Sequence, residues 1–519
     1  MAGLLSVCVF LAALAATGCN SGLDSDRADA RKGGSVLVGL PSAPDSLDPA
    51  VARSPEALQA LWLAYTPPLT YRHAGGATGT QIVPGLAERM PEASPDSKSF
   101  RFTFRAGLRY SDGRPLLAGD FERAISRALA LNPVARRELS GVVGAAGAGG
   151  LGDPSQGIEG IVSDDRTRTV RIELAVPDPG FPRLLASTWA APVPLGTPAR
   201  DLSSSPPAGI GPYRPEGSSR GKAYVLSRRR DFRLAGVPAG NVDSITGVVI
   251  GDPGRRINQT LRGRLDLTQG EPPAPRLPQI RSEDKQRYRE FPTLSARFVS
   301  FDLGRRPFRD EDVRRAVSFA LDLQTVARIE EGFLSPACNL IPPQVPGFAR
   351  LDPCPYGSRE GDADLVRAAK LVRGSRDRKA RVIVGSGRGP RSHELTRYGV
   401  QTLRKIGLRA RPARTAAEAR RAQLTFAEKQ PAVPGPARYL DVVDDAGVRS
   451  EAGALERDGT LSTTAPRWAD LDRRVVKAAL VTPLGVATTG VLLSERLDAA
   501  NCLTFHPVFG TDLSALCLR

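Results

Sequence analysis

Apolar positions recur along this chain at two periods, 2 and 3.6 residues, and the changes between them mark out strands and helices. The run Gly34-Ser35-Val36-Leu37-Val38-Gly39-Leu40, closed by Pro41, reads as a buried strand. Residues 56–63, with Pro55 just before them and Pro67-Pro68 after, read as a helix. From Ser99 to Arg105 the chain alternates strictly, with Phe100, Phe102 and Phe104 on one face, as in a half-buried antiparallel strand. Ser111-Asp112-Gly113 supplies a turn, and residues 118–131 a helix whose Phe121, Ile125 and Leu129 share one face. Further strands are expected at 167–174, 297–303 and 382–384, and further helices at 310–323 and at 395–406, the last ended by Gly407. The Pro-rich stretch 192–207 reads as a crossing between substructures, and 501–518 as an irregular tail pinned by Cys502 and Cys517. Strands interrupted by helices of this length imply α/β or α+β layers.

Composition narrows the function. A chain of 519 residues allows about three folding units. With 41% hydrophobic and 24% charged residues it is neither wholly disordered nor a polytopic membrane protein. The net charge of +17 invites a nucleic-acid reading. Yet 63 of the 72 basic residues are Arg, scattered along a chain with 6% aromatics, and the interleaved aromatic platforms of single-strand binders are missing. No nucleic-acid partner is expected.

At the start of the chain, Leu4 to Leu14 is nearly continuous apolar sequence, too short for a spanning helix and suited to a signal-peptide core. It ends in Ala16-Thr17-Gly18-Cys19, which resembles the lipobox of bacterial lipoproteins; that resemblance implies lipidation of Cys19 and anchoring to a membrane without integration. Setting aside Cys8 and Cys19 leaves Cys338, Cys354, Cys502 and Cys517, for which three pairings exist. The sequence-local choice closes two short loops, Cys338 to Cys354 and Cys502 to Cys517. No C-x2-4-C spacing and only three His (His73, His393, His506) argue against a metal, and no cofactor is expected.

Enzyme constellations fail. There is no His-Glu-x-x-His, and the one Gly-x-Ser-x-Gly, at Gly217 to Gly221, sits in a polar stretch rather than between a strand and a helix. The formal G-x-G-x-x-G at Gly147, Gly149 and Gly152 precedes Asp153-Pro154 with no helix opening, so a loop is expected rather than a phosphate cradle.

The run from Ser94 to Phe121 carries a phenylalanine-alternating strand, Arg105-Ala106-Gly107, Ser111-Asp112-Gly113-Arg114-Pro115 and Ala118-Gly119-Asp120-Phe121. It resembles the signature of the extracytoplasmic solute-binding proteins of the peptide and nickel transporter type, family 5. Further matches keep the family's order: Asp45-Ser46-Leu47-Asp48-Pro49, Gly209-Ile210-Gly211-Pro212-Tyr213, Pro307-Phe308-Arg309-Asp310 and His506-Pro507-Val508-Phe509-Gly510.

The resemblance implies an α/β, two-lobed periplasmic-binding-protein-like clamshell of type II with an extra subdomain in lobe I. The implied division is 1–18 signal peptide, 19–34 lipid-anchored linker, 35–72, 205–290 and 485–519 lobe I, 73–204 extra subdomain, and 291–484 lobe II. The implied role is that of a monomeric, exported receptor. It captures a small solute, such as a peptide, by hinge closure and delivers it to an ABC permease at the outer face of the membrane or in the periplasm. The other role compatible with the sequence is a degenerate binding fold acting as a sensor or docking protein. Candidate ligand contacts are Ser46, Tyr65, Tyr71, Trp189, Tyr213, Phe301, Asp302 and Asp441. Residues 424–445 contain no Trp and no Asp-Pro, and Asp302 stands where the family has Asn, so a peptide-terminus site is not carried over.

Overall fold

The computed structural model describes residues 32–145, 157–216, 223–357, 363–387, 391–431, 433–459 and 461–519. The leader with Cys19, the Gly-x-Gly-x-x-Gly segment and the Gly-x-Ser-x-Gly segment lie outside them. One mixed sheet runs through the molecule. Its strands follow the order Arg409–Pro412, Arg381–Ser386, Leu424–Lys429, Tyr288–Phe301, Val481–Leu493, Leu267–Gly270, Ser35–Leu40, Ser244–Val249, Tyr224–Arg228 and Tyr213–Glu216, with Leu334–Pro336 pairing beside Val481–Leu493.

The two long strands decide the architecture. Tyr288–Phe301 and Val481–Leu493 pair antiparallel from Tyr288 opposite Leu492 to Ser300 opposite Val481. At one end the second strand also pairs with Leu267–Gly270, and through it with Ser35–Leu40. At the other end Ala296 to Phe301 pairs with Leu424–Lys429. Register shifts fall between Pro292 and Ala296 and between Arg297 and Phe298, where the ladder is interrupted and the ribbon is free to bend. Two halves that share only this ribbon as sheet are two lobes.

Separate cores confirm it. On one side Val36, Val38, Leu267, Val491 and Leu493 join Phe100, Phe102, Phe104 and Phe121 in one buried cluster. On the other, Val299, Phe308, Val313, Val382, Val384 and Phe426 form a second, and Leu294, Phe298, Tyr439, Trp468 and Leu471 a third. The molecule is thus an α/β two-lobed clamshell.

Local structure follows from the sequence pattern. Strand Ser99–Thr103 buries Phe100 and Phe102 and exposes Arg101, and Phe102 packs edge-on against Phe121 at 5.5 Å. Each buried Phe contributes roughly 1.5–3 kcal/mol. Helix Pro55–Trp62 starts where Ser54 accepts the Ala57 N–H and Pro55 needs no partner for its missing donor. In the Pro-rich crossing, where the prolines lack the N–H that a ladder needs, side chains of helix Gly119–Leu131 take three carbonyls: Arg123 donates to Thr197 O and Arg127 to Pro198 O and Arg200 O. Disulfides join Cys338 to Cys354 and Cys502 to Cys517, with Cα atoms 5.7 and 5.6 Å apart. Among the described residues no helix is long and apolar enough to cross a membrane, and no group of three or more His, Cys, Asp or Glu could hold a metal ion.

Candidate functional site

Two of the expected contacts, Tyr71 and Trp189, meet in one cavity of 190 Å³. Tyr71 ends the strand Leu69–Tyr71, and Trp189 sits in the short 3-10 helix Thr188–Ala190. Their neighbours come from distant parts of the chain. Asn132 is contributed from the cap of helix Pro133–Glu138, Val508 and Phe509 from the C-terminal segment, and Val433 from the segment just before helix Ala437–Leu440. Val433 brings the second lobe to a cavity otherwise built by the first.

An aromatic stack holds the floor in place. Trp62 stacks on His73 at 4.0 Å and on Phe509 at 4.5 Å, and Tyr71 meets Phe509 edge-on at 5.9 Å. Burial pushes His506 down to about 4, so its ring is neutral at ordinary pH. Its Nε2 lies 2.8 Å from the Gly79 carbonyl, and its Nδ1 accepts the backbone N–H of Val508 and Phe509. A neutral ring with its proton on Nε2 satisfies all three bonds. His506 therefore positions the two residues that form the wall. His73 Nδ1 lies 2.7 Å from Asp512; burial works to raise that carboxyl, but His73 and the Ser514 hydroxyl hold it below its usual value.

The rim is charged and paired. Glu138 on the first lobe's side accepts from Arg438 of the second at 2.7 Å, and Arg183 lies 3.6 Å from Glu456. Beyond them opens a more polar cleft of 370 Å³ lined by Asp178, Arg183, Asp441 and Arg457. Nearer the ribbon, Thr80 donates to Gln344 O at 2.6 Å and Arg391 pairs with Glu271 at 2.5 Å.

The other expected contacts do not line the apolar cavity. Ser46 is buried, donating to Asp201 and accepting from the Asp48 N–H. The Tyr65 hydroxyl donates to Pro207 O and that of Tyr213 to Val242 O, so both phenols are spent on backbone. The Gly209-Ile210-Gly211 segment before Tyr213 lies against the chain leaving helix Pro55–Trp62. A Cβ on either glycine would sit 2.4 Å from the carbonyl oxygen of Ala64 or Leu63, which explains the glycines structurally. Phe301 packs on Phe308 in the second lobe's core. Asp302 lies 3.6 Å from Arg305, three residues on in the turn that follows its strand. Asp441 lines the polar cleft, where Lys429 binds it at 2.7 Å. The turn-building motifs of the sequence shape the frame, and their polar atoms are satisfied in doing so.

Sequence reasoning missed Asn132, Val433, Val508 and Phe509. An Asn before Pro133 signals a helix cap, and the His506-Pro507-Val508-Phe509 match reads as tail packing; neither pattern shows that the residue faces a cavity.

Two lobes sharing a two-strand ribbon, with a cavity where they meet, define a two-lobed solute-binding protein. Residues 81–439 match the sequence model of the bacterial extracellular solute-binding proteins, family 5 (middle region). The chain belongs to that family, whose members are extracytoplasmic binding proteins. It is 29% identical over 286 residues to the "Probable deoxycholate-binding periplasmic protein YgiS" of Escherichia coli (strain K12), covering 52% of this chain and 50% of that one. To the "Oligopeptide-binding protein OppA" of Bacillus subtilis (strain 168) it is 24% identical, covering 51% and 49%. The chain thus spans about half the length of the curated relatives it matches. The solved "Clavulanic acid biosynthesis oligopeptide binding protein 2" superposes with a TM-score of 0.80 at 23% identity, over 94% of this chain and 96% of that one, which shows the shared fold.

Proposed function

We propose that this protein is the extracytoplasmic receptor of an ABC importer, capturing a peptide or a similar small amphipathic solute between its lobes and handing it to a membrane permease. The observation that carries the reading is the cavity of Tyr71, Trp189 and Phe509, which the second lobe completes with Val433. A solute seated there contacts both lobes, so its differential affinity for the closed arrangement favours closure. Relatives named for deoxycholate and oligopeptide binding have in common solutes with apolar and polar parts.

In this reading the hinge lies at 290/291, just before the register shifts in the long ribbon, and at 484/485, opposite the shift between Arg297 and Phe298; residues 73–204 form the extra subdomain, and the receptor works as a monomer. Residues 1–18 act as a cleaved leader, and Cys19 carries the lipid that tethers the receptor to the membrane. Native mass spectrometry of the mature protein from its own host's extract, followed by small-angle scattering with and without the bound molecule, tests the reading. A discrete adduct and a smaller radius of gyration are expected. A bare protein that keeps one shape with every peptide and small solute offered overturns it. Cys19→Ser is expected to move the protein from the membrane to the soluble fraction.

A further inference from the structure

The cavity's chemistry is lopsided. Four of its polar side chains are buried and hold donors without a protein acceptor among the described residues. The Trp189 indole N–H has none, and an indole only donates. Asn132 spends its oxygen on the N–H groups of Val134 and Ala135, which leaves its amide nitrogen free. The hydroxyls of Tyr71 and Thr188 are also unpartnered. Burial pushes the Tyr71 phenol up, with Arg183 opposing, so it remains a donor.

The two hydroxyls can also accept, but the lining offers no free anionic acceptor. The one carboxylate on the wall, Glu138, is held by Arg438 at 2.7 Å and faces Arg137 at 3.4 Å. Arg53, half exposed at the cavity's edge, is paired with Asp45 at 3.9 Å. A ligand ammonium entering here loses its water and meets no free carboxylate, which is costly. A carboxylate meets donors, and charge-assisted bonds of that kind are the stronger ones. Size sets the rest: an apolar cavity of roughly 150 Å³ holds one benzene ring, so 190 Å³ suits one ring with a short tail and not an oligopeptide.

We infer that this cavity selects a compact apolar carboxylate, a single ring or its aliphatic equivalent with a short acid tail, bound by the donors of Trp189, Asn132 and Tyr71. The inference rests on the solute-binding reading and names the class of solute. Titration calorimetry of the mature protein with phenylacetate, 3-phenylpropanoate, phenethylamine and trialanine tests it. Two variants keep the fold while changing the donors. Trp189→Phe retains the ring without the N–H, and Asn132→Asp retains the helix cap while replacing the amide donor by a carboxylate.

At least one acid is expected to bind more than about tenfold tighter than the amine. Trp189→Phe should weaken that acid by roughly tenfold and Asn132→Asp by more, with unchanged circular dichroism. The inference is overturned if no acid binds, if the amine or trialanine binds as tightly, or if both variants leave acid affinity unchanged. Trialanine binding with contraction in scattering but no acid binding leaves the solute-binding reading intact and removes the inference alone. If no probe binds and no host solute contracts the protein, both fall.

Discussion

Arg127 and Asp48 form a fully buried ion pair, with hydrogen bonds of 3.0 and 2.5 Å and neither side chain exposed. Asp48 lies in the turn between strand Ser35–Leu40 and helix Pro55–Trp62, and it also accepts the Leu202 N–H. Arg127 lies on helix Gly119–Leu131 and reaches the crossing at Pro198 and Arg200. One pair thus clamps three segments distant in sequence.

Removing one member leaves the other charge buried, so Asp48→Ala and Arg127→Met are each expected to cost about 3–5 kcal/mol in urea unfolding. The double variant should lose clearly less than the sum, because the second substitution removes the stranded charge. Additive losses would show that the two side chains act independently.

The rim pair Glu138 and Arg438 joins the two lobes across the cavity. Glu138→Arg places two cations there and is expected to separate the lobes, raising the radius of gyration in small-angle scattering. Adding Arg438→Glu restores opposite charges and should restore the wild-type profile. An unchanged profile in Glu138→Arg would mean that the ribbon alone sets the lobe angle. Arg438 is partly exposed, so the effect should also fade as salt rises.

The disulfides close loops of 16 and 15 residues in sequence separation. In the chain-entropy model each contributes about 3 kcal/mol. The double substitution Cys502→Ser with Cys517→Ser should lower the melting temperature and loosen the segment bearing His506 and Phe509, which lies inside that loop. Increased hydrogen exchange confined to residues 503–516 is the expected signature. Exchange that stays as slow as in the wild type would show that the aromatic stack holds the segment unaided.

Much of the frame was legible because one-sided burial writes a period. Phe100, Phe102 and Phe104 alternate with polar residues, so their strand could be placed, and Pro55 ahead of residues 56–63 placed the first helix. The long strand Val481–Leu493 is buried over most of its length, so it shows no alternation, and Pro483, Gly485 and Gly490 read as breaks among its Val and Thr residues. Helix Leu461–Lys477 was hidden by Pro466, which reads as a break. The site was less legible still. Aromatic identity pointed to Tyr71 and Trp189, but Asn132, Val433 and Val508 belong to segments brought together only by tertiary packing.

His506 links stability to pH through the cavity wall. Its folded-state value of about 4 lies below the ordinary value near 6.5 because burial disfavours the charged ring. Between these two values the unfolded chain binds the proton and the native protein does not. The contribution is therefore fully present above pH 6.5 and is lost as pH falls toward 4. Asp472 acts in the opposite sense across much of the same window, since burial raises it to about 6 and its contribution shrinks as pH rises toward that value. The wild type can thus show a shallow profile, and the informative quantity is the difference from His506→Gln. The stability gap between the two proteins should widen as pH rises from 4 to 6.5 and stay level above it. A gap that is constant across that range would mean that the ring is not held neutral, and that the bonds its Nδ1 accepts from Val508 and Phe509 do not form in solution.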